Sequence, residues 1–360
     1  MLKTAFADRP LAAFDYVTVA IATLLMFVWY VPGTTALRLA LALVLLALLL
    51  WQGRRVGLGA TWRAHRSLWL LYLALTAWIV AEALAFGVSQ DIVMHEIRGQ
   101  WLRSGLMGLA GFLLAGVFAA RHPRGGPLLV AAVASALVVH VAVHDLYGLW
   151  HWVKDGSLPF QQTPLTANYA STSFLTNLLM SLLCAETMVR LLFGHRYLPV
   201  AGRWLALLMV LCVFATYSAG ARNGTAGFLV LLLSCAAVGL YSRRRALNLP
   251  ALAGIALVAL AALGSFGWLA FKADPRWQTL AETVPIALDT EHNTAWRQAG
   301  DFPDGAGLPR LADGRPVGHS NYMRIAWAKE GSLALLGHPL GVGFGRDAFG
   351  RAMRLTYPDY

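Results

Sequence analysis

The chain has 360 residues, of which 58% are hydrophobic and 13% charged, and its formal net charge is +11 at pH 7. A soluble domain carries about 45–50% apolar and about 25% charged residues, so this composition excludes an ordinary soluble protein. The apolar residues form long blocks, which is typical of a polytopic helical membrane protein. The basic residues fall in short segments between these blocks, so we expect membrane lipids and no nucleic acid as partners.

The apolar blocks have the roughly 17–25 residues that a bilayer-spanning helix needs, and they predict about nine spans. The predicted spans are residues 14–31, 36–51, 68–88, 105–120, 127–143, 169–192, 203–219, 225–241 and 250–271.

Clusters of arginine follow the second, fourth, sixth and eighth predicted spans. They are Arg54, Arg55, Arg63 and Arg66; Arg121 and Arg124; Arg190, Arg196 and Arg203; and Arg243, Arg244 and Arg245. The positive-inside rule makes their side cytoplasmic, together with the N-terminus. Residues 89–104, residues 144–168 and everything after about residue 272 are then expected on the outer side.

The outer segment after residue 272 exceeds the usual loop length of about 15 residues, which indicates a functional loop. Within it, NYMRIAWAKEGSLALLG predicts an amphipathic helix over residues 320–336, capped by Ser320 or Asn321 and ended by Gly337. Its apolar stripe, expected to pack on the bundle, would consist of Ile325, Ala328, Leu333 and Leu336.

The expected fold class is therefore an all-α polytopic membrane protein, a multi-span helical bundle with a large outer loop that carries an amphipathic helix. We divide the chain into the bundle at 1–271, the loop at 272–337, and a His-Pro-Gly motif with the start of a following segment at 338–360.

The stretch LGHPLGVGFG, residues 336–345, carries the strongest candidate for chemistry. Histidine accepts protons near neutral pH, so His338 is a candidate general base. Pro339 fixes the backbone after it, while Gly341, Gly343 and Gly345 allow close backbone approach or left-handed turns. The alternative is that His338 only ends the helix as a C-cap.

Several arginines are expected on the outer side, where the positive-inside rule disfavours them. Arg222 lies in the short turn YSAGARNG, Arg324 lies on the predicted amphipathic helix, and Arg98 and Arg103 flank Trp101. A guanidinium group suits phosphate binding. The alternatives are a snorkelling Arg222, a surface Arg324, and an interfacial turn that contains Arg98 and Arg103.

Three further groups of polar residues are candidates for a site, and each has a structural alternative. Asn168 and Tyr169 begin a span, where they would either cap the helix or contact a sugar. His140, His144 and His151 could line one helix face and bind metal. The alternative is an interfacial segment, because Trp150, Trp152 and Lys154 are typical of an interface belt. Asp289 and Glu291 form a possible carboxylate pair in a polar loop. We favour a mechanism without a metal site or cofactor.

Together these features resemble the O-antigen ligase and polymerase superfamily. The resemblance rests on the multi-span bundle, the arginine in the turn SAGARNG, the late outer loop, and the R-x₂-W segment that leads to GHPLGVGFG. It covers the chain from about residue 169 to its end. In the family, the serine-rich turn reads S-x-S-R-G, and one or two spans follow the histidine motif.

The resemblance implies a bacterial inner-membrane enzyme of lipopolysaccharide biosynthesis. It would transfer a glycan from undecaprenyl pyrophosphate to a lipid A-core hydroxyl at the periplasmic face, with inversion and without a metal. His338 matches the family's essential histidine, and Arg222 and Arg324 match its arginines. Arg98, Arg103, Asn168, Tyr169, Gly341 and Gly343 would contact the substrates. An O-antigen polymerase, a protein O-oligosaccharyltransferase and, further off, a transporter or flippase are the alternatives.

Overall fold

The computed structural model describes residues 13–56, 59–64, 66–86, 90–121, 125–156, 163–220, 222–243, 275–298, 305–345 and 347–360, with Phe302 and scattered positions between 250 and 272. Within these ranges the structure is helical. Its β-type pairs are the isolated bridges Thr163–Thr166 and Arg310–Pro316.

The first ten α-helices are α1 (Ala13–Val28), α2 (Thr35–Val56), α3 (Gly59–Ala64), α4 (Arg66–Phe86), α5 (Gln90–Glu96), α6 (Leu102–Arg121), α7 (Gly125–Asp155), α8 (Tyr169–Phe193), α9 (Gly202–Ser218) and α10 (Arg222–Arg243). The later helices are Pro275–Gln278, Leu280–Leu288, a 3-10 turn at Thr294–Arg297, the cap helix His319–Gly337 and the C-terminal helix Ala348–Thr356.

Five helices in the described residues are long and apolar enough to cross a membrane, which confirms the class of helical membrane protein. They are Thr35–Arg55, Arg66–Phe86, Asp91–Phe118, Gly126–Asp155 and Tyr169–Phe193. The shorter apolar helices Ala13–Val28, Gly202–Ser218 and Gly227–Ser242 coincide with three more predicted spans. The predicted span at 250–271 lies mostly outside the described residues, so the count of nine spans stays a prediction.

Two segments that were expected on the outer side are helical over part of their length. Residues 90–104 continue into α6 through a π-helical turn at Ile97–Trp101, and α7 runs for 31 residues to Asp155. Polar residues such as Asp91 and His151 lower the local hydropathy and so mark the end of a predicted span. They do not break an α-helix, which explains why the helices extend beyond the predicted spans.

The described contacts group the chain into two compact units. The first comprises 1–61 and 106–270, and the second comprises 62–105 and 271–360. The core of the first unit is built by apolar residues of α7, α8 and α9, with Leu137, Leu179 and Cys212 fully buried.

The second unit groups helix α4 with the C-terminal part of the chain, and residues between Ala287 and Met353 form its core. Trp296, Tyr322 and Met353 are among its fully buried members. The hydroxyl of Tyr357 donates a hydrogen bond of 2.7 Å to the buried carboxylate of Glu330. Burial, followed by this hydrogen bond, raises the pKa of Tyr357, so the phenol stays a neutral donor.

The cap helix confirms a helix at the predicted place, within one residue at each end. Its N-cap is Gly318, which makes no side-chain capping bond, so the predicted cap at Ser320 or Asn321 is wrong. The predicted stripe is wrong as well. The buried face consists of Asn321, Tyr322, Met323, Ala326 and Glu330. Ala328, Leu333 and Leu336 are exposed, and Ile325 is half-buried.

Candidate functional site

His338 is the residue that ends the cap helix. Its backbone amide donates to the carbonyl of Ala334 at 2.8 Å, and its carbonyl accepts from the amide of Gly341 at 2.9 Å. The C-capping interpretation is therefore correct for its backbone. The imidazole is half-buried and makes no hydrogen bond with the described part of the chain. Because capping uses only backbone atoms, both ring nitrogens remain available for chemistry.

The glycines after His338 form a loop that lies directly on α4 and α5. Gly341, Gly343 and Gly345 have φ angles of +95°, +104° and +126°, a region that favours glycine. A Cβ on Gly341 would overlap the carboxylate of Glu82, and one on Gly343 would overlap the carbonyl oxygen of Phe86. The sequence prediction of close backbone approach is therefore confirmed, and the approaching group is protein.

The peptide units around Gly343 are held by two opposite charges. The amide of Gly343 donates to Oε1 of Glu82 at 3.2 Å. Its carbonyl oxygen accepts from Nη2 of Arg351 at 2.6 Å. Hydrogen bonds to charged groups are stronger than neutral ones. We call this arrangement the glycine clamp; it fixes the loop that follows His338.

Arg98 and Arg103 follow, in the sequence, two residues that the glycine loop approaches. A Cβ on Gly345 would lie 3.0 Å from Ile92 and 4.0 Å from Cγ of Glu96, and Arg98 follows two residues later in the π-helical turn. Both arginines are exposed, and neither makes a hydrogen bond or ion pair with the described residues. The two guanidinium groups can therefore receive an anion.

The turn that carries these arginines is anchored to α4 by aromatic contacts. The rings of Tyr72 and Trp101 stack with centroids 5.3 Å apart, and the indole nitrogen of Trp101 donates to Thr76 at 3.2 Å. The backbone of Gly105 lies so close to the hydroxyl of Tyr72 that a Cβ at this position would overlap it. The backbone between Arg98 and Arg103 is therefore tied to the same helix that carries Glu82.

Arg324 lies far from His338, although both belong to the cap helix. The two are fourteen positions apart, which corresponds to about 21 Å along the axis of an α-helix. Long side chains in helices lean towards the N-terminus, which carries the exposed guanidinium of Arg324 further away. The structure does not bring Arg324 and His338 to one small anion.

Arg222 begins α10, and its side chain lies outside the described residues. It belongs to the first compact unit, whereas His338 belongs to the second. Its expected part in catalysis stays a prediction.

Asn168 is the N-cap of α8. Its Oδ1 accepts from the amide of Ser171 at 2.9 Å and from the Ser171 hydroxyl at 3.2 Å. Of the two open interpretations, the structure supports capping. Tyr169 is the first residue of the helix, and its side chain is exposed.

The polar alternatives do not assemble into one site. His140 contacts the carbonyl of Phe27, His144 contacts the hydroxyl of Ser218, and His151 contacts Asp155. Each of the three rings contacts a different partner, and the three do not face one common ligand position. Asp289 accepts from Nδ1 of His292 at 2.8 Å, and this bond lowers the pKa of the exposed carboxyl group. Asp289 therefore pairs with a histidine and not with Glu291.

Glu82 and Arg351, the two side chains of the glycine clamp, were not predicted from the sequence. A signal existed for Glu82, because a carboxylate within an apolar span is costly and indicates a specific partner. For Arg351 no local pattern pointed to the loop.

The described helices define the class as a helical membrane protein, in which a histidine ends the cap helix and a glycine clamp ties the loop after it to the candidate span α4. Comparison of the chain with protein-family models, with curated proteins and with solved structures finds no match.

Proposed function

We propose that the protein is a membrane glycosyltransferase of the O-antigen ligase type. It transfers a glycan from undecaprenyl pyrophosphate to a lipid A-core hydroxyl at the periplasmic face of the bacterial inner membrane. The observation that carries the proposal is the imidazole of His338, which has no hydrogen-bond partner in the described residues and lies five positions before Gly343, the residue that Glu82 of α4 holds. The sequence resemblance supplies the substrate class.

In the proposed reaction His338 is the general base. One ring nitrogen accepts the proton of the acceptor hydroxyl, whose oxygen attacks the anomeric carbon of the donor. The bond from that carbon to the pyrophosphate oxygen breaks on the opposite face, and the lipid pyrophosphate departs with the electron pair. A single displacement of this kind inverts the anomeric centre.

Arg98 and Arg103 stabilise the negative charge that develops on the departing pyrophosphate. Both are exposed on the segment that follows the contact between Glu96 and the glycine loop. Arg324 is not assigned to the phosphates, because about 21 Å of helix separates it from His338. Neutralisation by guanidinium groups makes pyrophosphate a good leaving group, so the proposed mechanism uses no metal ion.

The acceptor is the part of the proposal that distinguishes it from related activities. A polymerase would use a second lipid-linked glycan as acceptor, and a protein O-oligosaccharyltransferase would use a serine or threonine hydroxyl. The donor, the base and the arginines would be the same in all three. A transporter would need no general base at its surface.

The test is a transfer assay with the purified protein in vesicles and one lipid-linked donor. Lipid A-core, a second lipid-linked glycan and a peptide acceptor are supplied separately, and products are resolved by gel and mass spectrometry. The proposal predicts a glycan-bearing lipid A-core. Transfer only to the lipid-linked glycan or only to the peptide would reassign the acceptor, and no transfer to any acceptor would contradict the proposal.

A further inference from the structure

The end of the cap helix exposes a group of large apolar side chains around His338. Leu333, Leu335, Leu336 and Leu340 expose 51%, 67%, 79% and 58% of their surface. We call these four residues the leucine tip. An exposed apolar patch of this size at one place marks a surface that contacts a partner or a membrane.

The leucine tip is not an amphipathic stripe. Successive residues of an α-helix are rotated by about 100°, so Leu335 and Leu336 point about 200° and 300° away from Leu333 around the axis. Apolar side chains therefore surround the last turn of the helix. A helix that is apolar on all sides is stable only when it is buried in apolar surroundings.

The chemistry of the tip differs from that of the first half of the same helix. No Lys, Arg, Asp or Glu occurs from Gly331 to Gly345. In the first half, Arg324 is exposed, and Lys329 donates to the carbonyl of Leu288 and to the hydroxyl of Thr290. One end of the cap helix thus suits water and the other end suits a medium without hydrogen-bonding groups.

We propose that the leucine tip inserts into the lipid bilayer. The surface next to it supports this occupant, because the glycine loop that follows Leu340 lies against Glu82 and Phe86 at the end of α4. Helix α4 is a candidate span in which Ile79 is the one buried residue, and Leu84 beside this contact exposes 83% of its surface. The apolar surface of the tip continues the lipid-facing surface of α4.

Insertion of the tip brings His338 to the bilayer together with the leucines on either side of it. The histidine follows the last turn of the cap helix and is flanked by Leu336 and Leu340 in the sequence. Arg324, by contrast, remains in water, because twelve residues of helix, about 18 Å, separate it from Leu336. This membrane contact does not depend on whether the protein transfers a glycan.

The test measures the environment of the tip directly. In a variant in which Cys184, Cys212 and Cys235 are replaced by alanine, a nitroxide is attached at Leu336→Cys. The protein is placed in bilayers of phosphatidylethanolamine and phosphatidylglycerol, and collision rates with oxygen and with a water-soluble nickel chelate are recorded. Arg324→Cys is the matched control on the same helix, and Leu340→Cys is a second label if the first variant does not fold.

The proposal predicts a severalfold higher ratio of oxygen to nickel collisions at Leu336 and Leu340 than at Arg324. Equal ratios at the three positions would place the tip in water and overturn the proposal. A label at the tip that collides with neither reagent would show that protein covers the leucines, for example a second copy of the chain, and would overturn it as well.

Discussion

The backbone amide of Gly343 donates a hydrogen bond of 3.2 Å to Oε1 of Glu82, 261 positions earlier in the sequence. This bond joins the loop after His338 to helix α4. Replacing Glu82 with alanine is expected to lower kcat of glycan transfer by on the order of tenfold, because a hydrogen bond to a charged group contributes about 1.5–3 kcal/mol. KM should change little, since Glu82 is not expected to touch the substrates.

Glu82→Gln is the matched control for this prediction. The amide oxygen of glutamine still accepts a hydrogen bond from Gly343, so activity should stay near the unmodified level. Steady-state kinetics of both variants in vesicles measure the difference. Equal losses in the alanine and glutamine variants would contradict a positioning role that works through this bond.

The glycine clamp makes a second prediction, for Gly343→Ala. The new Cβ would overlap the carbonyl oxygen of Phe86, and the φ angle of +104° is strained for alanine by about 1–2 kcal/mol. We expect lower thermal stability and lower transfer activity. Gly337→Ala is the control, because its Cβ meets open space at a helical position and alanine is favoured there by about 1 kcal/mol. Similar melting temperatures for both variants would contradict the clamp.

Kinetic and stability measurements on Asn168 variants distinguish helix capping from a sugar contact. Asn168→Ala should destabilise the protein by about 0.5–2 kcal/mol through loss of the N-cap of α8, with KM for the glycan substrates unchanged. Asn168→Asp should restore stability, because aspartate is an equally good cap. A rise in KM in both variants at unchanged melting temperature would show a sugar contact instead.

The distances along the cap helix predict unequal roles for two arginines. Arg98→Ala should lower transfer with a donor that carries a short glycan by at least about tenfold, because one charge-assisted contact to the pyrophosphate is lost. Arg324→Ala should leave turnover of the same donor close to normal, because its guanidinium lies beyond reach of the phosphates bound beside His338. The reverse order of losses would show that the donor lies along the first half of the cap helix.

The sequence allowed the cap helix and the position of His338 at its end to be predicted, because a proline and spaced glycines follow an apolar segment with helical periodicity. It misassigned the buried face. The rule that leucines face protein assigned Leu333 and Leu336 to the interior, whereas Tyr322, Met323 and Ala326 form the buried contact. Hydropathy cannot distinguish burial in protein from burial in lipid, since both remove apolar surface from water.

The glycine clamp could not be predicted for a different reason. Glu82 and Arg351 lie on separate helices, and the groups that they bind are backbone atoms of Gly343, which carry no sequence signal.

The lengths of α5 to α7 were underestimated because the boundaries came from hydropathy alone. The helical backbone continues wherever hydrogen bonds and propensity permit, also beyond the apolar window.

The most direct test of the account is the turnover of His338→Ala in vesicles with the lipid-linked donor and lipid A-core. A lost general base should lower kcat by about 10²–10⁴-fold while melting temperature and elution volume stay unchanged. His292→Ala, at an exposed histidine in the same unit, serves as the control and should keep full activity. Near-normal turnover of a folded His338→Ala protein would contradict the proposed mechanism.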